Sequence, residues 1–217
     1  MEESRFFKEF IKEYKNSYSL GLPGKKGQLP MKPYLGIERN IEIKPTFNVK
    51  KGAVLALLYP YKNEPHVALM QRPNYGGVHG GQISFPGGKI EQTDKSPLHA
   101  ALREANEEIG VFPEDINIIG PITEVFVLAS NFLVYPFVGY VNKRPKFIPD
   151  KREVEEIIEV PFKHLANPSV IGEKEMPSKA GFFLKAPYYD INGRVLWGAT
   201  AMMISEIVEI KTRQITI

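Results

Sequence analysis

The chain has 217 residues, 43% of them apolar, and 28 basic against 25 acidic side chains give a formal net charge of +3. That length suits one domain with a substantial core, and the small charge gives no argument for a nucleic-acid partner. Because the sequence contains no cysteine, disulfides, thiolate zinc sites and a cysteine nucleophile are excluded.

The chain opens on an apolar helical face formed by Phe6, Phe7, Phe10, Ile11 and Tyr14. Their spacing predicts a helix that docks on the body of the protein or on a second subunit, and it permits a homodimer. The residues before it carry mixed charge rather than an apolar run. We therefore predict no secretory signal and a cytoplasmic protein.

Residues 1–50 hold ten Lys and Arg against six acids, so the basic excess lies in this segment. Lys25, Lys26 and Lys32 cluster in a stretch rich in Gly and Pro, residues 21–33, which we predict to be irregular. A basic loop that meets phosphates is one interpretation. A solubilising surface loop is the other, and we favour it. Residues 1–50 are thus predicted to be an N-terminal helix with a basic, irregular extension.

Strands are predicted where runs rich in Val, Leu and Ile are bounded by turn residues. These runs are residues 53–59, 66–71, 116–122, part of 123–141, and 154–160. Residues 125–141 carry no charge, but polar residues, Pro136 and Gly139 interrupt them, and they are shorter than the roughly 20 apolar residues of a membrane helix. We expect two buried strands there and no membrane partner. Residues 197–208 are predicted to form a final helix, and strands interleaved with helices indicate an α/β fold with a mixed sheet.

The segment between the second and third predicted strands carries clear signals for a glycine loop and a helix. Phe85 to Gly88 reads as a strand end opening into a loop where backbone can approach a ligand closely. Ser96 is a good N-cap, Pro97 suits the first helical position, and Gly110 suits the C′ position. His99 is interpreted as the edge of the packing face. That face is formed by residues at three- and four-residue spacing: Leu98, Ala101, Leu102, Ala105 and Ile109.

Three acidic residues of this helix, Glu104, Glu107 and Glu108, fall on one face at about 100° per residue. Like charges at this spacing repel one another, and a hard divalent cation would turn the repulsion into coordination. A merely solvated acidic face is the alternative. The preceding Arg103, the capped helix and the paired glycines disfavour that alternative. The pattern therefore predicts a site for Mg²⁺ or Mn²⁺.

The stretch from Gly88 to Val111 resembles the signature of the Nudix hydrolases, G-x5-E-x7-R-E-U-x-E-E-x-G-U, where U is a bulky aliphatic residue. Two features depart from it: Ala105 is a small stand-in for U, and Asp94 takes the first acidic slot with eight residues before Arg103. The resemblance implies a Nudix-like α/β/α sandwich with a mixed sheet and the signature loop-helix-loop. It also implies that residues 51–217 form the Nudix hydrolase domain.

A second resemblance is to the coenzyme A diphosphatase branch, whose box is roughly L-L-T-x-R-S-x3-R-x3-G-x3-F-P-G-G. Leu69, Arg72, Gly81 and Phe85 to Gly88 fit that box. Gly77 stands where its second arginine belongs, and three further positions differ: Ala68, Met70 and Pro73. The residues expected to contact substrate are Arg72, His79, Gly81 and Gly88.

The Nudix resemblance implies that Glu104, Glu107 and Glu108 hold the cation, with the carbonyl of Gly87 as a further ligand. Arg103 is expected to orient the carboxylate of Glu104 and keep it ionised, which completes the predicted catalytic set. The residues leave open which glutamate, if any, acts as the general base, because a metal polarises water by itself. An acid outside the signature is a further option, and the candidates are Glu124, Glu153, Glu155 and Glu156.

These resemblances imply a metal-dependent hydrolase that cleaves the diphosphate bond of a nucleoside diphosphate derivative, a small nucleotide substrate. Coenzyme A or an acyl derivative leads, and it would yield adenosine 3′,5′-bisphosphate and a phosphopantetheine. ADP-ribose, NADH or dinucleotide polyphosphates are the alternatives within the same chemistry. A Nudix-fold sensor that binds a nucleotide without cleaving it is the alternative of another class, and the complete set of carboxylates disfavours it.

Overall fold

The computed structural model describes residues 2–35, 47–74, 80–177, 181 and 183–213, with side chains from Arg5 onward. The helices are α1 Glu2–Ser19, α2 Lys25–Gln28, α3 Pro97–Ile109, α4 Phe162–Leu165 and α5 Gly198–Thr212. The strands are β1 Lys50–Tyr61, β2 Glu64–Gln71, β3 Ile83–Ser84, β4 Gly87–Lys89, β5 Asn117–Pro121, β6 Val125–Val127, β7 Phe132–Tyr140, β8 Glu156–Pro161, β9 Ile171–Pro177, β10 Phe183–Ile191 and β11 Arg194–Trp197. Short 3-10 turns lie at Leu29–Met31, Pro113–Asp115, Leu128–Ser130 and Pro168–Val170.

The main sheet is built around the long strand β1. One edge of β1 pairs in parallel with β7, and the other edge pairs antiparallel with β4 and then with β2. Strand β2 continues to β8 and to β3, while β5 and β6 pair with β7. One parallel pair among antiparallel pairs makes this a mixed sheet, as the sequence predicts.

The two faces of the sheet carry separate cores, because successive side chains of a strand point to opposite faces. Ala53, Leu55 and Leu57 of β1 pack in one core with the apolar residues of α3. Ala56 and Leu58 belong to the other core, which α1 and α5 cover. Helices on both faces of a mixed sheet form an α/β/α sandwich, so the predicted fold class is confirmed.

Helix α1 docks on the body of its own chain. Phe7, Ile11 and Tyr14 are buried in the core shared with α5, whereas the side chain of Phe6 remains exposed. The apolar face predicted from the sequence therefore belongs to the fold of this chain.

The prediction of an irregular segment over residues 21–33 is wrong in part, since α2 and a 3-10 turn lie there. Glu206 of α5 explains the order: it is fully buried and accepts hydrogen bonds from the amide of Gly24 at 3.2 Å and from Gln28 Nε2 at 2.8 Å. The hydroxyl of Thr123 donates to the same carboxylate at 2.7 Å. One buried acid thus ties the N-terminal segment to the loop before β6.

The sequence predicts no strand after residue 160, but the structure has a three-stranded sheet there, in the order β11-β10-β9. The sequence does carry a local signal for this sheet, the Asn192-Gly193 pair. In the structure the pair forms the turn that joins β10 to β11, with positive φ values of 54° and 85°. An Asn-Gly pair is the usual two-residue hairpin turn. The uncharged stretch 125–141 contains β6 and β7, as predicted. None of the helices in the described ranges is long and apolar enough to cross a membrane.

Replacing Glu206 by Ala should destabilise the protein by about 2–4 kcal/mol, because the buried donors of Gln28 and Thr123 lose their acceptor. Urea unfolding followed by circular dichroism measures the loss. Glu209→Ala, an exposed position three residues along the same helix, is the matched control. Equal losses in the two variants would contradict this role of Glu206.

Candidate functional site

The centre of the site is the backbone of Gly87 and Gly88, where β4 pairs with β1. Gly87 has a φ of 149°, and a Cβ at this position would overlap the backbone of Ala53 and Val54. A Cβ at Gly88 would overlap the carboxylate of Glu104. Glycine is therefore required at position 87, and the absent side chain at position 88 lets Glu104 lie directly against the loop.

Glu108 enters the same loop from the next turn of α3. The residue is 1% exposed, and its Oε2 accepts a hydrogen bond of 2.6 Å from the amide of Gly87. Arg72, just after β2, donates from Nη2 to Glu108 Oε1 at 3.2 Å and to the carbonyl of Gly87 at 2.9 Å. Burial raises the pKa of Glu108 to about 8, although Arg72 and the amide of Gly87 oppose the shift.

Arg103 links four parts of the signature through its guanidinium. It donates to Asp94 at 3.1 and 3.0 Å, to Glu104 at 3.0 Å, to Glu107 at 2.8 Å and to the carbonyl of Lys89 at 3.2 Å. Burial raises the pKa of Glu104, and the neighbouring Arg103 opposes that shift. Arg103 thus lies where an orienting residue for Glu104 is expected.

Asp94 anchors Arg103. Its side chain is inaccessible to solvent, and it accepts hydrogen bonds from Arg103 and, at 2.8 Å, from the amide of Glu91. The bond from Arg103 holds the pKa of Asp94 well below its usual range. His99 Nδ1 lies 2.9 Å from Asp94 Oδ1, so His99 is a partner of this acid rather than the edge of the packing face. The sequence signal for this contact is the four-residue spacing of His99 and Arg103, which places both on one side of α3.

The remaining predicted contact residues lie around the same loop. Gly81, with a φ of 70°, donates its amide to the carbonyl of Arg72 at 3.1 Å, so it fixes the backbone from which Arg72 extends. Gly88 lies against Glu104. His79, and Gly77 in the second arginine position, lie outside the described residues.

The three predicted metal-binding glutamates differ in environment. Glu108 is buried and Glu104 is largely covered, whereas the side chain of Glu107 is 55% exposed and bonds to Arg103. Within the described ranges no three His, Cys, Asp or Glu side chains lie close enough together to hold a metal ion. The pair Glu104 and Glu108, with the carbonyl of Gly87, nevertheless offers hard oxygen donors at one place. Carboxylate and carbonyl oxygens are the ligands that Mg²⁺ and Mn²⁺ prefer, so these donors fit a divalent cation.

Among the four acids outside the signature, Glu153 is distinguished by its electrostatic effect on the site. Burial is the main cause of the raised pKa of Glu104 and Glu108, and the negative charge of Glu153 adds to the shift of both. Glu156, by contrast, is paired with Arg194 at 2.7 Å. The backbone explains the placement of Glu153, since the residue three positions before it is tied to α3 by a 3.0 Å bond from the amide of Asp150 to the carbonyl of Glu108.

A family model described as the NUDIX domain matches residues 49–178, which is more than half of the chain. The chain belongs to the Nudix family. The matched range contains the glycine loop, α3 with its glutamates, and Arg72.

The chain is 34% identical over 120 residues to the uncharacterized Nudix hydrolase NudL of Pectobacterium atrosepticum, covering 55% of this chain and 62% of that protein. It is 36% identical over 115 residues to NudL of Enterobacter sp., covering 53% and 59%. It therefore spans about three fifths of the length of these curated relatives. The solved MutT protein of Methanosarcina mazei Go1 superposes with a TM-score of 0.50 at 15% identity, covering 78% of this chain and 100% of that one, which is a similarity of fold.

The metal-free protein should lose stability as the pH rises from about 4.5 to about 8. Over that range the native state binds more protons than the unfolded state, because the pKa of Glu108 is about 8 in the fold and about 4.3 in the unfolded chain. Glu108→Gln should flatten this slope, and Glu114→Gln, an exposed acid outside the site, should keep it. Urea unfolding in the presence of a chelator measures the slopes. Identical slopes in the wild type and Glu108→Gln would contradict the assignment.

Proposed function

We propose that this Nudix protein is a divalent-metal-dependent hydrolase that cleaves the diphosphate bond of a nucleoside diphosphate derivative. The observation that carries the proposal is the convergence of Glu104, Glu108 and the carbonyl of Gly87 on one glycine loop, with Arg72 beside them. A diphosphate is strongly negative, so its hydrolysis needs positive charge near its oxygens. The two carboxylates and the carbonyl would supply that positive charge by holding a divalent cation.

Each residue of the site has a role in this proposal. Bound Mg²⁺ or Mn²⁺ would neutralise phosphate charge and polarise the attacking water. Glu104 and Glu108 would hold it together with the carbonyl of Gly87, and Glu107 is the third carboxylate that the signature implies. Arg103, fixed by Asp94, would keep the carboxylate of Glu104 ionised and oriented.

Coenzyme A or an acyl-coenzyme A is the proposed substrate, and the support for it is the box that contains Arg72, Gly81 and the Phe-Pro-Gly-Gly segment. The relatives named NudL are consistent with this branch. A guanidinium is a natural bidentate partner of a phosphate, so Arg72 is placed in the substrate-binding set. Gly77 replaces the second arginine of the box, so Arg72 is the one arginine of the box that this chain keeps.

Product analysis tests the activity and the substrate together. The purified protein is incubated with Mg²⁺ or Mn²⁺ and, separately, with coenzyme A, ADP-ribose, NADH and diadenosine polyphosphates. We expect adenosine 3′,5′-bisphosphate from coenzyme A, with turnover at least about a hundredfold lower in Glu104→Gln and Glu108→Gln and unchanged in Glu114→Gln.

The other outcomes of this assay each remove a different part of the proposal. Cleavage of the other diphosphates but not of coenzyme A would contradict the substrate and would assign the specificity to the change at Gly77. Nucleotide binding without cleavage of any of them would contradict the hydrolase and favour the sensor.

Glu153 is the acid that we propose to act from outside the signature, as a general base. The support for this role is that its charge acts on both Glu104 and Glu108, while Glu156 is paired with Arg194. Glu153→Gln should lower kcat by about 10²–10⁴-fold with little change in KM. Glu155→Gln, an exposed acid two residues away, is the matched control. Wild-type kcat in Glu153→Gln would contradict this role.

A further inference from the structure

The two oxygens bonded by the guanidinium of Arg72 belong to residues proposed as metal ligands. A single nitrogen, Nη2, lies 2.9 Å from the carbonyl oxygen of Gly87 and 3.2 Å from Oε1 of Glu108. The other carboxylate oxygen of Glu108 is held by the amide of Gly87 at 2.6 Å. The positive charge of Arg72 therefore lies at the place where the donor set would receive a cation.

A divalent cation and the guanidinium cannot both take this place. Both are positive, both would bond the same two oxygens, and the surroundings are poorly solvated because Glu108 is buried. Repulsion between like charges is strong where water is excluded. One cation must therefore leave when the other arrives.

Of the two cations, the guanidinium of Arg72 is the one that can move out of the site. Its backbone is fixed, with its amide bonded to the carbonyl of Gln82 at 3.0 Å and its carbonyl receiving the amide of Gly81 at 3.1 Å. Its long side chain is 20% exposed and can turn toward solvent while the backbone stays in place. Arg103 differs, because Asp94, an inaccessible carboxylate, holds its guanidinium through two hydrogen bonds.

We infer that Arg72 occupies the cation position of the metal-free site and that a divalent cation displaces it, which frees its guanidinium to bind the phosphates of the substrate. This inference rests on the proposed function, since it concerns the cation which that function requires. It makes binding ordered: the metal enters first, and only then is Arg72 available to a diphosphate. In the metal-free protein the same arginine stabilises the buried Glu108 and is withheld from nucleotides.

The direct test follows the Nε–Hε signal of Arg72 by NMR in the ¹⁵N-labelled full chain, with Mg²⁺ alone as the titrant. Arg72→Lys assigns the signal. We expect it to shift with the same Mg²⁺ dependence as the amide signals of Gly87 and Gly88. The signal of Arg144, paired with Glu159 at 2.7 and 2.8 Å outside the site, should stay unchanged.

Two results would overturn the inference, and they differ in whether the proposed function also fails. If the amides of Gly87 and Gly88 respond to Mg²⁺ while the Arg72 signal does not, the metal binds without displacing the arginine, and the proposed function stands. If neither the amides nor Arg72 respond, no cation binds this loop, and the proposed function fails together with the inference.

Thermal unfolding of Arg72→Met provides a second reading that does not depend on catalysis. In a chelator the variant should melt below the wild type, because Glu108 has lost its partner. Saturating Mg²⁺ should close that difference, since the arginine no longer holds Glu108 in either protein. Arg144→Met should show the same difference with and without Mg²⁺. A deficit in Arg72→Met that persists unchanged in Mg²⁺, or no deficit in the chelator, would contradict the displacement.

Discussion

The burial of one carboxylate, that of Glu108, is the constraint on which the site depends. Burial raises its pKa to about 8, and the amide of Gly87 and the guanidinium of Arg72 donate hydrogen bonds that stabilise the ionised form. Both partners come from other parts of the main sheet, so β2, β4 and α3 must meet before the carboxylate has any partner. The same meeting sets Glu104 against Gly88. The need for positive charge beside Glu108 and the assembly of the donor set therefore both follow from the packing of β2, β4 and α3 against one another.

A second arrangement of charges keeps the rest of the signature in place. Asp94 is inaccessible and binds Arg103 through two hydrogen bonds, and Arg103 in turn reaches Glu104 and Glu107. The two arginines therefore have different tasks. Arg103 is held by an acid that is not a ligand, and so it can orient carboxylates. Arg72 is held by the proposed ligands themselves, and this is why its position should depend on the metal.

The sequence predicted those features that are encoded locally and missed those that depend on distant contacts. Helix α3 was predictable because Ser96, Pro97 and Gly110 mark its ends within one segment. The different environments of Glu107 and Glu108 were not predictable from the sequence. Helical spacing places both on one face, and only the pairing of β4 with β1 buries Glu108. The small sheet β9–β11 was not predicted because most of β9 is exposed and shows no clear apolar alternation. The Asn192-Gly193 turn was its one local sequence signal.

Anomalous scattering of Mn²⁺ in crystals of the full chain would locate the cation relative to Glu104, Glu108 and Gly87. We predict a peak within bonding distance of the carboxylates of Glu104 and Glu108 and the carbonyl oxygen of Gly87, with the guanidinium of Arg72 withdrawn from both Glu108 and Gly87. A protein that hydrolyses diphosphates but places its Mn²⁺ away from these three groups would contradict it.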